Sequence, residues 1–232
     1  MTDRTAIIVS HGQPSDPDPA EREIGDLAAR VARHLPDWTI GAATLAKPGA
    51  LDAALAGAGP APVVYPLFMT EGWFTGENLR NRLGNAPEAR VLRPLGVSPE
   101  LPALAADLLA DEIAHAGWKP GTARLFLAAH GSGRSPNSAR DTRAFAEALA
   151  RHIALAEIRV GFVEEPPFLV EAAVGMGAQS LCLPFFAARR GHVIDDIPEA
   201  LDAAGFAGLR LAPLGLAPGL PALVARAIAA GR

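Results

Sequence analysis

Short, mainly apolar runs alternate along this chain with longer segments whose apolar residues recur at helical spacing. In the second half the runs are residues 125–129, 159–163, 180–184 and 209–213, and segments such as "ARDTRAFAEALARHI" lie between them. Recurrence at intervals of three and four predicts amphipathic helices, and brief uninterrupted apolar runs predict strands buried on both faces. Strands of that kind separated by helices predict a parallel sheet covered on both sides, an α/β architecture.

The pattern occurs twice. "PLGVSPELPAL" at 94–104 returns as "PLGLAPGLPAL" at 213–223, an offset of 119 with eight of eleven positions identical. The same offset sets "AIIVSHGQPSDP" against "LFLAAHGSGRSP", pairing His11 with His130 and Pro17 with Pro136. At an offset of 118, "YPLFMTEGWFTGENL" meets "LPFFAARRGHVIDDI". A repeat of this length implies two tandem doubly wound lobes, 1–117 and 118–232, with "HAGWKPGTAR" at 115–124 as the punctuated junction.

Parallel α/β sheets bind ligands at the carboxyl ends of their strands. In the second lobe His130 follows the first strand, Glu164 and Glu165 end the second, and His192 lies in the loop after the third. Two imidazoles and a carboxylate therefore reach one rim. Strand alternation sends the two glutamates to opposite faces, so one of them serves it. Asp195 and Asp196 follow His192 closely enough to orient its ring, and they also suit the start of a helix, with Pro198 in its first turn. Histidine as a mere sheet cap and glutamate as a solvated strand end are the plainer readings, but the convergence of three strand ends favours a site. His34, His115 and His152, at helix ends, read as structural.

Two imidazoles and one carboxylate suit a divalent first-row ion such as cobalt, nickel, iron or zinc, with positions left open. The single cysteine, Cys182, rules out an internal disulfide or a thiolate cluster. Composition narrows the partners further. The net charge of −4 argues against a nucleic-acid binder, and no apolar run is long enough to span a bilayer. With no signal peptide legible at "MTDRTAIIVSHG", the cytoplasm is the expected location.

The segments "AHGS" (129–132), "GFVEEPP" (161–167) and "LPFFAARRGHVIDDIPEAL" (183–201) resemble the sirohydrochlorin cobaltochelatase family of cobalamin biosynthesis, among the ATP-independent class II chelatases. The resemblance implies two flavodoxin-like lobes of chelatase fold facing across a tetrapyrrole cleft. It implies His130, His192 and Glu164 as metal-holding and proton-accepting residues, with Glu165 as a further metal-ligand candidate. Because an aromatic-aliphatic pair, Phe162 and Val163, precedes Glu164, the motif favours Glu164.

Sirohydrochlorin binds metal only after losing two N–H protons, so bases are needed beside the held ion, and imidazoles titrate in the right range. Its carboxylates call for cations: Arg134, Arg189 and Arg190 lie in the same loops, with Arg80 and Arg82 available from the first lobe. Ser132, His11 and Phe74 complete the expected substrate contacts. Co2+ is the first expectation for the substrate ion, ahead of Ni2+, Fe2+ or Zn2+, with no organic cofactor and a monomeric chain. A nickel- or ferrochelatase, a non-catalytic tetrapyrrole or metal carrier, and a metal-dependent hydrolase are the alternatives. In the first copy Phe74 stands at the position of His192 and Asn78 at that of Asp196. No carboxylate near Leu45 answers Glu164 and Glu165, so a degenerate site is expected there.

Overall fold

The apolar run at the start of the chain becomes β1 (Arg4–Ser10), whose residues Ala6 to Val9 are completely buried. The computed structural model describes residues 4–84, 86 and 88–231; Met1 to Asp3 and Arg232, the outer ends of the two expected lobes, lie outside them. β1 is flanked in parallel by β2 (Trp38–Thr44) and β3 (Val63–Pro66), and β3 by the short β4 (Arg90–Val91), in the order β2-β1-β3-β4. The second sheet repeats this as β6-β5-β7-β8, built from β5 (Arg124–Ala129), β6 (Glu157–Phe162), β7 (Ser180–Pro184) and β8 (Leu209–Arg210), again all parallel.

Helices cover both faces of each sheet, as strands without in–out alternation require. On the first sheet Ile7 and Val9 pack against Leu51 and Leu55 of α2 (Ala50–Ala56) and Leu79 of α3 (Leu79–Arg82). The opposite face receives α1 (Pro17–Ala32) and α8 (Leu220–Ala230), both opened by proline in the first turn, where a missing N–H costs nothing. On the second sheet Phe126 and Ala128 pack against α6 (Leu169–Ala173) and α7 (Asp196–Ala203). α4 (Leu101–His115) and α5 (Asn137–Leu149) pack together in the same unit. Cys182, buried in β7, has its thiol pushed up to about 12 by that burial, which leaves it protonated and inert.

The chain forms two compact units. One comprises the portion up to Ser98 together with that from Gly219 onward, and the other is Pro99–Pro218. The expected division at 117/118 follows the sequence repeat, whereas the compact units divide at 98/99 and 218/219. The physical reason is the apolar face of α4, with Leu101, Ala105, Leu109 and Ile113 buried, which belongs to the second unit, while α8 belongs to the first.

Two expected elements are shorter than the hydrophobic pattern suggested. The strand read at 209–213 stops at Arg210, because Pro213 has no N–H for a ladder and leads into a 3-10 turn at Leu214–Leu216. The helix read through Ile153 ends at Leu149 and is followed by tight turns. Among the described residues no helix is long and apolar enough to cross a membrane.

The structure accounts for the strongest stretch of the repeat. Gly96 and Gly215 donate their N–H groups to the carbonyls of Phe68 and Phe186, each at 2.9 Å. A Cβ on either glycine would fall inside the backbone of Met69 or Ala187 respectively. In each unit the loop after the third strand is thus pinned against a glycine, and in the second unit that loop carries His192.

Candidate metal centre

Three side chains converge at the carboxyl ends of the second sheet. His130 is the first residue after β5, Glu164 lies two residues past β6, and His192 occupies a 3-10 turn, Gly191–Val193, beyond β7. One donor atom from each lies within 4.8 Å of the others. Imidazole and carboxylate bind a first-row ion at roughly 2.0–2.2 Å, so the three side chains must draw closer together to hold one. The two imidazole rings stand edge to face, 4.7 Å apart at 82°, and the ring of Phe186 flanks both at 6.3 and 6.4 Å.

Hydrogen bonds select the tautomer of both rings. His130 Nδ1 donates to the Gly131 carbonyl at 3.0 Å, and His192 Nδ1 donates to Asp196 Oδ2 at 2.8 Å. A carbonyl and an ionised carboxylate only accept, so both Nδ1 atoms carry the proton and both Nε2 lone pairs are left for a ligand. Glu164 Oε2 is 3.8 Å from His130 Nδ1, too far for a hydrogen bond, and its carboxylate is half exposed.

Glu165 is placed apart from this cluster. Its Oε1 accepts the Ser132 N–H at 2.7 Å, and its Cγ lies where a side chain on Gly131, at φ +72°, would have to go. The Ser132 hydroxyl in turn accepts the N–H groups of Arg134 and Ser135, both at 3.2 Å. Glu165 and Ser132 therefore brace the turn that presents His130. Arg134 and Arg189 are exposed and Arg190 is half-buried in the surrounding loops. The pattern of residues alone does not expose the Gly131 carbonyl as the partner of His130 or Phe186 as the flanking ring. The doubled phenylalanine after β7 is the available signal, since Phe185 turns into the core and leaves Phe186 at the rim.

The first unit repeats this frame with different side chains. The N–H groups of Leu45 and Ala46 donate to Ser10 and His11 just as those of Val163 and Glu164 donate to Ala129 and His130. Ala46, next to Leu45, is thus the counterpart of Glu164, and it brings no carboxylate, as expected there. His11 Nδ1 donates to the Gly12 carbonyl at 2.9 Å. Its ring meets Phe74 edge to face at 4.5 Å and 86°. Phe68 stacks on Phe74, and Trp73 and Phe74 are both exposed. Arg82 binds the Leu45 carbonyl at 2.9 Å, whereas Arg80 is exposed on α3.

A model of the CbiX family matches residues 124–230, the portion holding all three converging side chains. At 47% identity and a TM-score of 0.90, covering 98% of this chain and 99% of the other, the chain is similar to a protein described as CbiX, the terminal enzyme for biosynthesis of siroheme in denitrifying bacteria. The chain belongs to the CbiX family. The chain shares its fold with SirB from Bacillus subtilis, solved with Fe3+, at 14% identity and a TM-score of 0.77 over 99% of this chain and 96% of that one. It shares it also with the sirohydrochlorin chelatase SirB from Bacillus subtilis subspecies spizizenii, solved in complex with cobalt, at 16% identity and 0.67 over the same shares. Among curated proteins no sequence match is found. In this chain the chelatase fold is thus formed by two parallel α/β sheets, with the cluster of His130, Glu164 and His192 on the second.

Proposed function

We propose that this chain inserts a divalent first-row metal into sirohydrochlorin, with Fe2+ as the physiological ion and siroheme as the product. The observation that carries the reading is the cluster of His130, Glu164 and His192, in which both imidazoles present an Nε2 lone pair. The relative of 47% identity, a siroheme enzyme, supports Fe2+ ahead of Co2+, the ion that the sequence motifs alone bring first.

The chemistry follows from the donor set. One divalent ion enters the macrocycle as two pyrrole protons leave. The Nε2 atoms of His130 and His192 hold the ion with Glu164, and once it passes into the ring the same lone pairs accept the released protons. Asp196, paired to Nδ1 of His192, stabilises the imidazolium formed there. Arg134, Arg189 and Arg190 bind peripheral carboxylates, Ser132 shapes the turn that presents His130, and His11 and Phe74 are further substrate contacts.

The test is anaerobic conversion of sirohydrochlorin, followed by absorption, with Fe2+, Co2+ and Ni2+. The wild type accelerates insertion over the enzyme-free rate, fastest with Fe2+, and His192→Ala reduces the rate by roughly a hundredfold or more. Macrocycle binding with only the background rate for every ion would replace this reading with that of a carrier.

A further inference from the structure

We propose that the first unit is a metal-site frame disabled at two positions, Ala46 and Phe74, and otherwise kept in the geometry of the centre on the second unit. The inference rests on the reading that His130, Glu164 and His192 bind a divalent ion. It concerns residues to which that reading gives no metal role.

Four observations support it. The backbone hydrogen bonds that place Ala46 beside His11 are those that place Glu164 beside His130. The imidazole of His11 is fixed through Nδ1 by the carbonyl of the next residue, at 2.9 Å against 3.0 Å in the second unit, so its Nε2 also carries the lone pair. Phe74 stands to His11 as His192 stands to His130, at 4.5 Å and 86° against 4.7 Å and 82°. The backbones differ, a π turn at Phe74–Asn78 against a 3-10 turn at Gly191–Val193, and the rings nonetheless reach the same relation.

The fourth observation is Asn78. It lies four residues after Phe74, as Asp196 lies four after His192, and its Oδ1 is a buried acceptor with no hydrogen-bond partner among the described residues. A buried carbonyl oxygen without a donor is uncommon and costs stability. Phenylalanine has no N–H to offer it, whereas an imidazole at position 74 would supply the Nδ1–H that Asp196 receives in the second unit. The first unit thus has a buried acceptor at the place of Asp196 and no donor for it at position 74. Ala46 is half-buried and Phe74 is exposed, so both positions can take a changed side chain.

The test is anaerobic titration with Co2+, read by d–d absorption and bound-metal stoichiometry, with circular dichroism confirming the fold of every variant. The wild type is expected to bind one equivalent, lost in His130→Ala/His192→Ala. Ala46→Glu/Phe74→His is expected to bind two, and to keep one when combined with His130→Ala/His192→Ala. The added site is expected to be about 10- to 100-fold weaker than the native one, because an amide replaces the outer-shell carboxylate, and Asn78→Asp is expected to recover much of that difference. Phe74→His alone, titrated with Ni2+ because it binds imidazoles more tightly than Co2+, gives a second reading from a single exposed substitution. Folded variants that gain no equivalent in either titration overturn the inference, as does a wild type that already binds two. A wild type that binds none overturns the reading of the second unit instead, and the combined variant still tests the first.

Discussion

Glu164 and Glu165 are adjacent, chemically identical and opposite in placement. Glu164 stands with the imidazoles, while Glu165 receives the backbone of Ser132 and closes the turn that carries His130. Their substitutions should therefore separate. Glu164→Gln removes a donor charge and is expected to abolish Co2+ binding at micromolar concentrations. Glu165→Gln retains an acceptor for the Ser132 N–H and should keep affinity within a few-fold, whereas Glu165→Ala should lower it by about 10- to 100-fold, the usual cost of losing an outer-shell support. Metal titration of the three variants checks this ordering, and rescue by glutamine distinguishes a brace from a ligand. The motif order favoured Glu164, but nothing in a pair of consecutive glutamates tells which turns back onto a neighbouring loop. That is decided by Gly131, whose positive φ and missing side chain make room for the Glu165 stem.

At the scale of elements, the parallel sheets and the convergence of His130, Glu164 and His192 at one sheet edge were legible because buried strands and strand-end histidines leave strong local patterns. The limits of β8 and α5 were not. Hydrophobicity continues past both ends, and it is the absent N–H of Pro213 and the turns after Leu149 that stop them. The offset between copies changes from 119 to 118 between the first and second strands, so the offset of the first strands sets Leu45 against Glu164 and that of the later segments sets Ala46 there. The glycines of the "PLG" repeat are the elements' shared fastening. Gly96→Ala and Gly215→Ala each drive a methyl group into a backbone carbonyl and should cost about 3 kcal/mol, at the upper end of overpacking penalties. Thermal unfolding measures this cost. Of the two, Gly215→Ala should also weaken metal binding, since Ala187 leads directly into the loop of His192.

For the whole molecule, the repeat in sequence and the units in space do not coincide. The junction at 115–124 is a true turn between α4 and β5, rich in the glycine and proline that mark boundaries, yet the second unit begins before α4. Local composition reveals where a chain bends, and only packing reveals which sheet a helix covers. A fragment of residues 99–218 is accordingly expected to fold cooperatively and bind one Co2+, while a fragment of 118–232, which follows the sequence repeat, lacks α4 and should not. Circular dichroism with metal titration on the two fragments decides between the divisions.

The exchange of α4 and α8 also fixes an order of completion during synthesis. A ribosome releases β1 to β4 before the second unit, but the helix that finishes their unit, α8, emerges only after the whole of the second unit, from Gly219 onward. The later unit has all its elements once Pro218 has emerged. Domains generally fold as they appear, from the N-terminus on. Here the nascent chain reverses that sequence: the unit with His130, Glu164 and His192 can close first, and the unit begun before it waits, one face of its sheet incompletely covered, for α8.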